Sequence, residues 1–180
     1  MSEIFDLLKQ NGIIIDSGLS DDEISIIESK YDISFPKSLK DFYKEGLPVS
    51  EGFINWKDYS DENVEYIKSL IQSAFSDVSE NAGEIYWNDE WGDEPDDTDE
   101  AAEIIREKLK SAPKLIPIYS HRYIPMGTSD NPPVISVHEI DIIYYGLDLA
   151  DYFKVEFGAK EQSDIDFENI QEIPFWTEIM

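Results

Sequence analysis

The sequence predicts an α+β fold, in which an antiparallel β-sheet is flanked by helices within a single domain spanning residues 1–180. Three observations support this prediction. Apolar residues recur at helical spacing in the first third of the chain, their spacing becomes strand-like from residue 115, and it returns to helical after residue 147. With 41% hydrophobic residues, a chain of 180 residues can bury one sizeable core and leaves little room for a second domain.

Three helices are predicted in the first third. The side chain of Ser2 is expected to cap a short first helix. Ser20 and Glu23 have the spacing of a capping box ahead of a second helix. The segment FPKSLKDFYKEG predicts a third helix with Pro36 at its start. These signals concern packing, and we infer no chemistry from them.

The middle of the chain mixes the two periodicities. Residues 51–56 (EGFINW) predict a short strand, and residues 61–76 predict an amphipathic helix. Residues 83–87 (GEIYW) are a second strand candidate. After an acidic stretch, Thr98 is expected to cap a further helix that extends to Leu109.

From residue 115 the sequence is typical of an antiparallel meander. The runs LIPIY, RYIPM, PVISVH and DIIYY are short, rich in β-branched and aromatic residues, and separated by Pro, Gly and Asn. Residues 148–157 (DLADYFKVEF) then predict a last helix.

The composition excludes several classes of protein. Because the chain has no cysteine, disulfides, thiolate metal sites and a cysteine nucleophile are excluded. The N-terminal sequence lacks the basic region, apolar run and cleavage site of a signal peptide. No apolar run approaches the roughly twenty residues that span a membrane. We therefore expect a cytoplasmic protein.

The charge is strongly negative, with a formal net charge of −26 and a pI of about 4.1. Such a surface repels phosphate backbones, so direct binding of nucleic acid is not expected. Residues 61–105 contain fifteen acidic residues and one basic residue, Lys68. This region would attract a basic partner, typically a protein that itself binds nucleic acid. The alternative is that the acidity only aids solubility.

The segment SHRYIP raises the possibility of catalysis. His121 would be the general base, Asp141 its orienting partner and Arg122 an anion clamp. Alternatively, His121 and Arg122 lie between two strands and bond to the backbone or to a buried carboxylate. We favour this structural interpretation, because Ser120 lacks a nucleophile elbow and the chain has no phosphate-binding loop. Two histidines without cysteine also make a poor transition-metal site, and His138 is a weaker candidate still.

The acidic stretch NDEWGDEPDDTDE, residues 88–100, is the candidate partner-binding surface. It does not match a calcium-binding loop, so no metal ion or cofactor is predicted, although a weak divalent-cation site stays open. Trp91 is expected to pack inward, whereas the surrounding carboxylates are candidates for partner contact. The predicted partner-binding residues are Trp87, Asp89, Glu90, Asp93, Glu94, Asp96, Asp97, Asp99 and Glu100. The commonest alternative for such a run is a solvated loop.

A family resemblance covers the chain from about residue 20 to the C-terminus. It is carried, in this order, by FPKSLKDFYKEG, LPVSEGFINWKD, IYWNDEWGDEP, APKLIPIYSHRYIP, NPPVISVHEIDIIYYGLDLADYFKVEF and PFW. As a set these segments resemble bacterial members of the SUKH superfamily, the Smi/Knr-like proteins. The SHRYIP and DIIYYG segments, together with the upstream EWG, are the most specific part.

The resemblance implies an α+β domain with an antiparallel sheet flanked by helices. It implies that bacterial relatives are mainly immunity proteins, which neutralise secreted polymorphic or contact-dependent toxins, many of them nucleases. Fungal relatives are implied to regulate cell-wall glucan synthesis through protein contacts, and neither branch implies catalysis. The matching residues are implied to define the fold: Trp56, Trp91, Gly92, His121, Arg122, Tyr123, Pro125, Asp141, Tyr145 and Gly146.

Together these observations predict an immunity protein that binds a cognate toxin, a basic nuclease, by stoichiometric association through its acidic surface. The carboxylates would take the place of nucleic-acid phosphates on the cationic cleft of the toxin. The alternative is a regulatory or scaffolding protein that acts through protein contacts and has no toxin. A third and more distant hypothesis is an enzyme that uses His121.

Overall fold

The computed structural model of the protein describes residues 2–180, except for the side chain of Ser2. The predicted cap by that side chain therefore lies outside the described part. Within residues 2–180 the chain forms six α-helices, a two-stranded sheet and a four-stranded sheet, and both sheets are antiparallel. The predicted α+β class is confirmed.

Three helices open the chain, as predicted. They are α1 (Ser2–Gln10), α2 (Asp21–Tyr31) and α3 (Lys37–Glu45). The capping box at α2 is confirmed, since the Ser20 hydroxyl accepts from the Glu23 amide and the Glu23 carboxylate accepts from the Ser20 amide. Pro36 was predicted at the start of the third helix and occupies the N-cap of α3, one residue before its first residue, Lys37.

A two-stranded sheet, whose strands follow α1 and α3, was not predicted. It pairs β1 (Ile15–Asp16) with β2 (Leu47–Pro48). Each strand has only two residues, too few to show the alternation that identifies a strand in a sequence.

The two longest helices follow. Helix α4 (Asp61–Glu80) extends four residues beyond the predicted end, because Val78 continues its buried face. Helix α5 (Thr98–Leu109) is capped by Asp97, not by Thr98 as predicted. The carboxylate of Asp97 accepts hydrogen bonds from two amides of the first turn, at 2.9 and 3.4 Å.

The predicted strand at residues 51–56 is wrong. Of these residues only Phe53 makes a β-bridge, to Tyr119. Gly52 has φ +91°, and a Cβ there would lie 2.5 Å from the Tyr119 ring. The chain therefore turns at Gly52, where a close approach and a positive φ both require glycine.

The predicted strand at residues 83–87 is also wrong. The backbone forms a 3₁₀ turn at Ala82–Glu84 and is irregular afterwards. Burial does alternate in this segment, since Ile85 and Trp87 are half-buried on either side of exposed Tyr86. Side-chain alternation alone does not supply a neighbouring strand for the backbone to pair with.

The second half contains the predicted meander, which is confirmed. Its strands are β3 (Leu115–Tyr119), β4 (Arg122–Pro125), β5 (Val134–His138) and β6 (Asp141–Gly146), in the order β3-β4-β5-β6. Helix α6 (Leu149–Glu156) follows, and a C-terminal segment of turns ends the chain.

The four-stranded sheet separates two hydrophobic cores. On one face, Ile116 and Ile124 pack with α1, α2, α3 and α6. On the other, Tyr123 and Ile135 pack with the end of α4, with α5 and with residues 173–176. The sheet therefore has a hydrophobic core on each face, although His138, Asp141 and Ile143 of β5 and β6 are exposed. Among the described residues, no helix combines the length and apolarity needed to cross a membrane.

Candidate functional site

The Arg122 guanidinium is enclosed by groups of its own chain. Its Nε donates to the Glu156 carboxylate at 2.9 Å, and its Nη1 donates to the Ser136 hydroxyl at 2.9 Å. Its Cζ lies 3.7 Å from the centroid of the Tyr145 ring. Arg122 is only 9% exposed. In the catalytic hypothesis the positive charge of Arg122 would bind an anionic substrate. In the structure this charge is already paired with the Glu156 carboxylate of α6.

His121 is not hydrogen-bonded to a carboxylate in the described part of the chain. Its Nδ1 lies 3.1 Å from the Ser120 hydroxyl, and its ring centroid lies 5.7 Å from that of His138. Burial lowers the pKa of His121, and the charges of Arg122 and His138 lower it further. Asp141 is exposed and opens β6 opposite His138. The structure thus does not join His121 and Asp141 by a hydrogen bond.

The Ser120–His121 pair lies beside an open hollow of about 370 Å³. A catalytic serine needs a base that is itself oriented by a third group, usually a carboxylate. Glu156 also lines this hollow, but its carboxylate is bonded to Arg122. Across residues 2–180, no three His, Asp or Glu side chains are placed to hold a metal ion.

The acidic segment, defined as residues 88–100, contains eight acidic residues and no basic residue. It begins with a 3₁₀ turn at Asp89–Trp91, turns at Gly92 with φ +92°, and ends in the first turn of α5. Its eight carboxylates are all exposed: Asp89, Glu90, Asp93, Glu94, Asp96, Asp97, Asp99 and Glu100. Within residues 2–180, none of the eight forms a salt bridge.

Two tryptophans anchor the acidic segment. The rings of Trp87 and Trp91 meet edge to face at 5.3 Å, and Trp91 stacks on Phe175 at 6.5 Å. The indole N–H of Trp87 donates to the Gly92 carbonyl at 2.8 Å. Trp87, which was predicted to contact the partner, is therefore half-buried with its polar group used internally.

Glu178 joins this anchor to the C-terminal segment. Its carboxylate accepts from the Trp91 indole N–H at 2.7 Å and from the Phe175 amide at 2.7 Å. Its carbonyl accepts from the Asn88 side chain at 2.8 Å. Glu178 was not predicted as part of the site, because it follows the PFW motif and no local pattern in the sequence marks it.

A model of the SMI1 / KNR4 family (SUKH-1) matches residues 18–156. The chain belongs to the SMI1 / KNR4 family. This confirms the resemblance identified in the sequence. Comparisons with curated proteins and with solved structures gave no match.

The family match ends at the last residue of α6. The resemblance was expected to continue to the C-terminus, but residues 157–180 lie outside the matched region. Glu178 and Phe175, which hold the acidic segment in place, belong to this unmatched part. In contrast, the acidic segment itself lies inside the match.

The ten residues implied to define the fold all lie within the matched region, in different environments. Trp56 is fully buried, with ring centroids 5.6 Å from Tyr31 and 5.2 Å from Phe35. At Gly146 a Cβ would lie 2.5 Å from the Tyr152 backbone, so close packing of β6 on α6 requires glycine there.

The other members of this set differ in burial. Tyr123 is buried with its hydroxyl 3.1 Å from that of Ser73, and Pro125 is buried opposite Leu115 in the β3–β4 pair. Gly92 and Asp141 are exposed. Burial therefore explains a packing role for Tyr123 and Pro125, and it explains none for Asp141.

Proposed function

We propose that this protein is an immunity protein that neutralises a cognate secreted toxin by stoichiometric binding. Its membership of the SMI1 / KNR4 family supports this proposal, because the resemblance implies that bacterial relatives are mainly immunity proteins. In this proposal the protein acts in the cytoplasm of the toxin-producing cell, and its partner is a basic nuclease domain.

One observation carries the choice of partner. Eight exposed carboxylates lie along the acidic segment, and none is paired with a cation in the described chain. Such a surface raises the local concentration of a cationic partner and orients it during encounter. A nuclease cleft carries positive charge because it binds phosphates. The carboxylates would occupy that cleft in place of the nucleic acid.

The proposed mechanism requires no catalysis by this chain. Arg122 is bonded to Glu156, and His121 is bonded to Ser120. These contacts support a structural role for the SHRYIP segment. The protein would therefore act at a ratio of one molecule to one toxin, and it would not be consumed or turn over.

The test is capture of the partner followed by an activity measurement. The protein is used as bait in a lysate of its own cells, and bound basic proteins are identified and purified. We expect the captured protein to cleave DNA or RNA, and this activity to fall linearly to zero at one equivalent of the immunity protein. A captured partner without toxicity would favour the regulatory or scaffolding alternative, and would contradict the proposal.

A further inference from the structure

Tyr86 is the most exposed large apolar side chain among the described residues, with 93% of its surface accessible. Both of its neighbours are fixed. Ile85 packs against the second core, and the indole of Trp87 donates to the Gly92 carbonyl. The ring of Tyr86 therefore projects into solvent from an ordered base. A ring presented in this way loses little conformational freedom when a partner binds.

The sequence on either side of Tyr86 is anionic. Glu84, Asp89 and Glu90 are exposed, lie within four residues of it along the chain, and form no salt bridge within residues 2–180. An apolar partner at this position would have to desolvate these carboxylates without compensating them. A cation would pair with the carboxylates and would also be attracted by the face of the ring.

A cation from the same chain already occupies a neighbouring ring. The Lys108 ammonium lies 4.9 Å from the centroid of Trp91, which meets Trp87 edge to face. One aromatic ring of this region therefore already accepts a cation on its face. Lys108 indicates which chemistry suits the exposed ring of Tyr86.

We propose that Tyr86 is the aromatic contact of the docking surface and receives an arginine side chain of a cationic partner protein. Arginine fits better than lysine, because its planar guanidinium stacks on a ring while its N–H groups bind carboxylates in pairs. Lysine presents a compact, strongly hydrated charge that does not stack. The inference rests on the proposed function for the positive charge of the partner. It adds that the partner contacts Tyr86 with an arginine.

The test uses two peptides of equal charge, blocked triarginine and blocked trilysine. Their dissociation constants are measured by NMR titration at low salt against wild type, Tyr86→Ala and Tyr86→Phe. Tyr66→Ala is the matched control, because Tyr66 is an exposed tyrosine on the acidic helix α4. Thermal unfolding of each variant verifies that the fold is unchanged.

Wild type should bind triarginine more tightly than trilysine by at most about two- to five-fold, the full value of an exposed cation–π contact, because lysine makes the same contact more weakly. Tyr86→Ala should remove this preference, whereas Tyr86→Phe and Tyr66→Ala should retain most of it. An unchanged preference in Tyr86→Ala, or none in wild type, overturns the role of Tyr86.

A second arm separates this inference from the proposed function. The neutralised variant carries Asn or Gln in place of Asp93, Glu94, Asp96, Asp97, Asp99 and Glu100. If this variant binds both peptides as tightly as wild type, electrostatic capture by the acidic segment is wrong. If it binds both more weakly while Tyr86→Ala keeps the arginine preference, only the inference about Tyr86 fails.

Discussion

The Arg122 guanidinium lies over the Tyr145 ring, with 3.7 Å between Cζ and the ring centroid, and thereby joins two strands of the meander. The same group reaches α6 through Glu156 and β5 through Ser136. The side chains of Arg122 and Glu156 are only 10% and 16% exposed. The interaction links β4, β5, β6 and α6 in a region where a charge without a partner would be poorly solvated.

Replacing Arg122 with Ala should therefore destabilise the protein by roughly 2–4 kcal/mol, because it leaves the Glu156 carboxylate largely buried without its cation. Replacing Glu156 with Gln should cost less, since the amide oxygen still accepts from Nε. Urea denaturation of both variants measures the difference. An unfolding free energy of Arg122→Ala equal to that of wild type would contradict a structural role for this residue.

Stability should also fall on mild acidification, because of His121. Burial lowers its pKa in the folded protein, so the unfolded chain takes up the proton first. The free energy of unfolding therefore decreases as the pH falls through the ordinary value of 6.5 towards the lowered one. His121→Asn should be less sensitive to pH in this window than wild type. Urea titrations at several pH values measure the free energy of unfolding of both proteins. If this free energy falls equally with pH in wild type and in His121→Asn, the role of His121 is refuted.

How well the sequence predicted the fold depended on the length of each element. Helix α4 and the strands of the meander have enough residues for their period to appear, and both were predicted. Strands β1 and β2 have two residues each and were missed. At residues 83–87 the alternation of buried and exposed side chains exists without a strand, because a sequence does not show which backbone groups find partners.

Only part of the candidate site could be predicted, because a sequence shows local patterns and not contacts between distant residues. The charge of the acidic segment and the inward packing of Trp91 follow from composition and spacing. The bond between Trp91 and Glu178 joins residues 87 positions apart, and a single sequence contains no signal for such a contact. The strand predicted at residues 83–87 would place Tyr86 and Trp87 on opposite sides, but it does not indicate which of the two is exposed; in the structure Tyr86 is exposed and Trp87 is half-buried.

Substitutions at Asp97 and Thr98 test which of the two residues caps α5. Asp97→Ala should destabilise the protein by about 1 kcal/mol, because the amides of Asp99 and Glu100 lose their acceptor. The matched control Thr98→Ala, one residue further, should change stability by only a few tenths of a kcal/mol. Thermal denaturation measures both. Equal losses, or a larger loss for Thr98→Ala, would show that the cap is assigned to the wrong residue.

The hydrogen bond between Glu178 and Trp91 should be required to hold the acidic segment in place. Glu178→Ala removes the acceptor of the Trp91 indole N–H and should cost about 1–3 kcal/mol. Hydrogen exchange of that indole proton should accelerate in the variant. Glu168→Ala, an exposed carboxylate in the same C-terminal region, is the control and should leave both quantities unchanged. If exchange at Trp91 is equally slow in Glu178→Ala, the anchor does not depend on this bond.

The neutralised variant should separate capture from folding. It alters little that is packed, because all six positions are exposed and Asn replaces Asp97 as an equally good cap. Its unfolding free energy should change only slightly, and a small rise is expected from reduced self-repulsion in a chain of charge −26. Association with a basic toxin should slow by about ten-fold or more at low ionic strength, with a weaker dependence on salt.

A control of equal charge shows whether position matters. Six exposed acids of the N-terminal region are neutralised, which removes the same charge from another surface: Glu3, Asp6, Asp16, Asp22, Glu45 and Glu51. Association rates of the two variants and of wild type are measured across a salt series. If the acidic segment faces the toxin, its neutralisation slows association far more than the control does, since a close charge is screened less than a distant one. Equal slowing would mean that only the total charge acts, and the toxin-binding surface would then lie elsewhere.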